Sequence, residues 1–263
     1  MRVLAITDLR GATHRLPQIV DLARKENLGA VIFCGNIVSE DARTEAFREA
    51  EKAGKSPAME QEALDKLEEA AVHAYEAFFD EMGKLDVPVM VVPGYLDAPE
   101  RLYFQAALNH EVVAPNIDMI HHSFAPLPSE NLVVAGFGGG LSEDLRENRF
   151  VLVYPDWEAE FAFEFLRHLE HEAVLVFHTP PRYGDLDLEN GQHIGRHVVE
   201  EIIKTYRPRF AFCGSALDGQ GTATIGTTLV VNPGPLKDGH YAIVDTRTNK
   251  VTFGRLPEPE KVA

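Results

Sequence analysis

Several things are scarce in this sequence, and each shortage narrows what the protein can be. Of its 263 residues only Cys34 and Cys213 are cysteines, each inside a strand-like "FCG" stretch. That usage fits a reducing compartment rather than a disulfide framework. No apolar run approaches the ~20 residues of a membrane span. Arg2 leads straight into a strand-like run, with no signal-peptide pattern. The expectation is a cytoplasmic protein with no membrane contact. No block of Lys or Arg occurs anywhere, and the formal net charge is −16. Phosphate backbones and anionic surfaces are bound by clustered cations, so nucleic acid is disfavoured as a partner. Internal repeats and low-complexity tracts are missing as well.

What is present is enough for a full core, since 45% of residues are hydrophobic. Short β-type runs alternate with helical patterns. "RVLAIT" precedes a helical pattern from about Leu16 to Glu26, with Pro17 in its first turn and Gly29 past its end. "AVIFCGN" is apolar at consecutive positions, as in a strand buried on both faces of a parallel sheet. "VPVMVVPG" repeats the form before a helix from about Pro99 to Asn109. Later come "LVVAGFG", "AVLVFHT", "RFAFCGS", "TTLVVNPG", "YAIVDT" and "KVTFG", with helical patterns near 157–171 and 195–206. Early βαβ units thus give way to a strand-rich second half, which predicts one α/β domain spanning 1–263.

Residues 39–86 interrupt this alternation as an acidic helical insert. They hold fourteen Asp and Glu against six Lys and Arg, half of the whole negative excess. Ser39 reads as the N-cap of a first helix, and Ser56-Pro57 as the start of a second. Leu64, Leu67, Ala71, Ala74, Phe78, Met82 and Leu85 recur at three- and four-residue steps and form one apolar stripe. The stripe predicts a helix packed on the domain with a solvated acidic face. The acid excess also suits a docking arm for a protein partner.

The chemistry gathers where strands end. Asp8 follows the first run in "ITDLRG", Gly35-Asn36 the second, and Gly94-Tyr95-Leu96-Asp97 the third. His178 ends "AVLVFHT", and Gly214-Ser215 follows "RFAFC". In α/β sheets the carboxyl ends of strands converge on one crevice, where ligands bind. Asp8, Asn36, Asp97 and His178 are therefore expected within reach of one another. Asp97-Ala98-Pro99-Glu100 also reads as a helix start, with Asp97 as a structural cap.

This order of motifs resembles the calcineurin-like metallophosphoesterase superfamily. The closest stretches are "HIGRHVVEEIIKTYRPRFAFCG" and "CGSALDGQGTATIGTTLVVNPGPLKDGHYAIVD". The resemblance implies a sandwich of two mixed β-sheets flanked by α-helices. It also implies chemistry by two divalent metals that generate a hydroxide and clamp phosphate oxygens. The motifs that hold those metals are D-x-H, G-D, G-N-H-D, a lone His and G-H-x-H. Here Asp8 matches the first acid and His178 the lone His. Arg10, Asn36, Tyr95, Leu96, Ser215 and Leu217 stand where other ligands belong.

Asp8, Asn36 and His178 remain as candidate metal ligands, enough for at most one weakly bound Mn, Fe or Zn and otherwise for no cofactor. Arg10 cannot ligate a metal, but it can pair with Asp8 or bind a phosphate. The sequence therefore predicts a degenerate, non-catalytic member of binding or regulatory function. Its cleft is expected to hold a small phosphate-type anion through Arg10 and backbone N–H groups at Gly11, Gly35 and Gly94. The alternative is an active phosphoesterase, acting on a phosphomonoester or phosphodiester with a reduced metal site.

Overall fold

A computed structural model describes residues 1–146 and 148–258. Strand β1 (Arg2–Ile6) leads through α1 (Leu16–Lys25) to β2 (Ala30–Phe33). Helices α2 (Ala42–Lys52) and α3 (Gln61–Met82) precede β3 (Val89–Val91) and α4 (Glu100–Val113). Next come β4 (Ile117–Met119), β5 (Ser123–Leu127), β6 (Leu132–Phe137), β7 (Gly140–Ser142) and β8 (Val153–Pro155). Helix α5 (Asp156–Ala162) and β9 (Glu172–Phe177) are followed by the hairpin of β10 (Leu188–Glu189) and β11 (Gln192–His193). The chain closes with α6 (His197–Tyr206), β12 (Phe210–Phe212), β13 (Gly221–Ile225), β14 (Thr228–Asn232), β15 (His240–Asp245) and β16 (Lys250–Arg255).

Two six-stranded mixed sheets result, ordered β16-β15-β1-β2-β3-β4 and β13-β14-β12-β9-β6-β5. Side-chain alternation along β1 shows how they stack. Leu4 and Ile6 join a core shared with α1, α3 and α4, whereas Val3 and Ala5 face a second core between the sheets. β2 divides likewise, with Val31 and Phe33 toward the helices and Ala30 and Ile32 between the sheets. A third core lies under α5 and α6 against the second sheet. Strands apolar on both faces are what this four-layer order requires. The α/β sandwich expected from the sequence is the one observed.

The helical insert starts later than its turn signals suggest. Asp41, not Ser39, caps α2, accepting from the Arg43 amide at 2.8 Å and gripping the Arg43 guanidinium as well. Arg43 is itself buried and reaches the Ala98 carbonyl, which fixes the start of α2. α3 begins at Gln61 rather than at Ser56-Pro57. Its buried face is Leu64, Ala71, Tyr75, Phe78, Phe79 and Met82, and Phe78 meets Phe33 of β2 with ring centroids 4.6 Å apart. Glu68 lies on that face too, held by Arg101 at 2.7 Å and Arg149 at 2.8 Å. The insert is therefore a layer of the core with a solvated acidic side. Phe78→Ala is expected to cost about 3–5 kcal/mol, and Glu69→Ala on the wet side less than about 0.5 kcal/mol. Urea denaturation of the two variants checks this.

Candidate functional site

Asp8 sits where the two sheets meet. Its backbone N–H donates to the Gly35 carbonyl and its own carbonyl accepts from Lys237, so the loop after β1 is tied on both sides. The carboxylate is 1% exposed. Oδ1 accepts from Arg10 Nε at 3.0 Å and Asn36 Nδ2 at 2.8 Å. Oδ2 accepts from the Thr7 hydroxyl and the Ser215 amide, each at 2.9 Å. Four donors fill the acceptor sites of an ionised carboxylate. Burial works to raise its pKa, but the charge of the Arg10 guanidinium and the hydrogen bonds from Asn36 and Arg10 outweigh it and hold the carboxyl below its ordinary value.

The neighbours are fixed as tightly. Asn36 gives its amide nitrogen to Asp8 and receives the Leu96 N–H on its oxygen at 2.8 Å. His178 is fully buried, with Nδ1 2.7 Å from the Cys34 carbonyl. A carbonyl only accepts, so Nδ1 carries the proton and Nε2 presents a bare lone pair. Nε2 has no partner among the described residues. Burial lowers the His178 pKa against the pull of Asp8, so the ring is neutral. Asp8, Arg10, Asn36 and Ser215 all adopt positive φ, between 44° and 65°. Such strain costs on the order of 1 kcal/mol or more per residue and gathers at functional sites.

Asp8, Asn36, Asp97 and His178 are expected within reach of one another from their places at strand ends. The structure gathers all four there, with Asn36 between Asp8 and Asp97, and adds Arg10 to them. Two expectations need correction. Asp97 does not cap α4, whose start has no side-chain cap. It accepts instead from the backbone N–H groups of Asn36, Ile37, Val38 and Gly94, at 2.7–3.2 Å, and clasps the loops after β2 and β3 together. The N–H groups of Gly11 and Gly94 are not free for an anion, being spent on the Ile37 carbonyl and on Asp97. Gly35 serves close packing: a Cβ there would lie 2.6 Å from the Gly94 backbone.

Above these residues opens a cleft of about 390 Å³. The sequence motifs leave much of its wall unmarked. Arg48 and Glu40 come from the insert, Arg196 from the start of α6, and Thr179 follows His178. Arg48 grips both oxygens of Glu40, at 2.9 and 2.8 Å, and Arg10 Nη1 lies 3.5 Å from the same carboxylate. Arg196 pairs with Asp156 at 2.6 Å. Among the described residues, no group of three or more His, Cys, Asp or Glu is arranged to hold a metal ion.

Comparison with known proteins places this geometry. The family described as "Metallophosphoesterase, calcineurin superfamily" matches residues 1–256. The chain belongs to that family. A solved crystal structure at 33% identity superposes with a TM-score of 0.88, covering 97% of this chain and 98% of the other. A protein of Thermus thermophilus follows at 28% identity and a TM-score of 0.77, with the same coverage. A dimetal phosphatase from Danio rerio shares the fold at 11% identity and a TM-score of 0.57, over 92% of this chain and 91% of that one. An uncharacterized protein of Methanocaldococcus jannaschii is 35% identical over 84 residues, which span 30% of this chain and 37% of that protein. The chain therefore matches little more than a third of that curated relative's length.

In this member of the family the Asp97 clasp has a pH signature. Complete burial raises the Asp97 pKa to about 6, against the opposing pull of its four N–H donors. Between pH 4 and 6 the folded chain keeps a proton that the unfolded chain has released. The stability due to Asp97 is thus fully present below its ordinary pKa of 3.8, and it is lost as pH rises through about 6. Asp97→Ala strands four buried donors and should cost at least about 3 kcal/mol. The gap to wild type should narrow by roughly 2–3 kcal/mol from pH 4 to 6. Urea midpoints across that range check both.

Proposed function

We propose that this chain is a non-catalytic metallophosphoesterase homologue whose cleft binds a small phosphate-type anion. The observation that carries the reading is the saturated Asp8 carboxylate, which has a guanidinium in place of a metal. A pair of divalent cations needs several anionic or imidazole ligands for each ion. Asn36 offers a neutral amide whose oxygen is already occupied. Ser215 and Leu217 bring no imidazole, and Arg10 repels a dication at the one carboxylate that remains. These residues do not fit the metal pair.

They do suit an anion. Glu40 bridges Arg10 and Arg48 and acts as an internal surrogate for it. A ligand phosphate that displaces Glu40 takes over two charge-assisted contacts, and the expected affinity is roughly micromolar to millimolar. A second reading, an active phosphoesterase with one Mn, Fe or Zn, draws on the bare Nε2 of His178 beside Asp8. It requires Arg10 to leave Asp8.

Elemental analysis of protein purified without chelator, with calorimetric titration by phosphate and pyrophosphate, separates the readings. The expected outcome is less than one divalent metal per chain and hydrolysis of generic phosphoesters near background with added Mn²⁺. Pyrophosphate binding should weaken about tenfold in Arg10→Ala, a loss of about 1.4 kcal/mol, and tighten in Glu40→Gln. Two metals per chain, or turnover abolished by both Asp8→Ala and His178→Ala, overturns the proposal.

A further inference from the structure

The one tryptophan of the chain does not contribute to its core. Trp157 is 59% exposed, and Phe161, one helical turn on, is 66% exposed. α5 anchors itself through its opposite face, where Ala159 is fully buried. The aromatic face is therefore surplus to folding. It borders a groove of about 420 Å³ between α5 and α6, with Ile202 and Tyr206 contributing the α6 side. Exposed aromatics one turn apart beside a concave surface are the usual anchors of protein recognition.

The charges around the groove say what fits. Glu160 and Glu164 stand one turn apart on its wall and form no ion pair among the described residues. Glu201 faces them from α6, shared with Lys204 at 2.9 Å. Arg167 is the cation that lines the groove beside these three acids. A second copy of a chain with net charge −16 is repelled from such a rim. A partner with positive charge is drawn to it, and its ammonium or guanidinium groups gain further from the exposed rings.

We infer that the groove between α5 and α6 docks a basic amphipathic segment of a protein partner, which seats an apolar side chain against Trp157 and Phe161 and places Lys or Arg beside Glu160 and Glu164. The site is separate from the strand-end cleft, and the inference does not depend on what that cleft binds.

The lone tryptophan supplies the readout. The probe is a helical peptide of roughly fifteen residues, leucine on one face and lysine on the other. Titrating it into the full chain should shift Trp157 emission to the blue and saturate. Phe161→Ala should weaken binding about tenfold, the effect of one anchor residue. Glu160→Lys with Glu164→Lys should abolish binding, while Glu62→Lys with Glu69→Lys on the wet face of α3 leaves it unchanged. The proposal fails if no shift appears or if a leucine–glutamate peptide binds equally well. Equal loss of binding in the two charge-reversed pairs overturns it too, because bulk charge would then be the cause. So does a dimer seen in sedimentation velocity and lost in Phe161→Ala, since the occupant would then be a second copy.

Discussion

A buried carboxylate at the seam of two sheets organises this molecule. Asp8 receives Arg10, Asn36 and Thr7 from the first sheet's loops and the Ser215 amide from the second. An unpaired charge at that depth costs several kcal/mol, so the loops have to converge on it. Their convergence explains the left-handed backbone at Asp8, Arg10, Asn36 and Ser215, since each turn aims a donor or an oxygen inward. Asp97 repeats the device one loop away with four backbone donors. The strand ends are thus held by two carboxylates whose partners are all protein groups.

A guanidinium in this place differs from a metal in kind. A dication polarises bound oxygen and lowers the pKa of water, and Arg10 can do neither. It carries charge that does not dissociate, in a planar fork fixed by Asp8. The fork reaches outward as well, to Glu40 and through it to Arg48. The cleft is thereby wired to α2, and the insert contributes part of the cleft wall. α3, the longer helix of the same insert, is anchored in the core by Phe78 and by the buried Glu68 with its two arginines.

The fold was legible because its strands carry their environment in their composition. "AVIFC" is apolar at every position, which only a doubly covered strand requires. The strand-end crevice followed from topology. Other features were decided by tertiary structure. Asp97-Ala98-Pro99-Glu100 has the local signature of a cap, yet four amides from two loops claim the carboxylate first. Ser39 and Asp41 are both good N-caps, and the buried Arg43 selects Asp41. Arg48 lies far from any motif, on a helix that only packing brings to the cleft, and Arg196, although inside the quoted "HIGRHVVEEIIKTYRPRFAFCG" stretch, has no ligand motif around it. No spacing in the sequence marks them.

The charge pattern of the cleft limits what binding there can mean. Three arginines line it, but each is already matched: Arg10 by Asp8 and Glu40, Arg48 by Glu40, and Arg196 by Asp156. An arriving anion adds no new cation contact without breaking an old one. It exchanges with a carboxylate, so the Coulombic gain is a difference between two similar pairs. Such exchange favours ligands that do better than a carboxylate at the same fork. A phosphate has more oxygens and more charge, and it can engage two guanidinium groups at once. A singly charged carboxylic acid gains nothing over Glu40. For the anion we propose, the competitor is built into the cleft wall, and Glu40 sets the threshold that it must exceed.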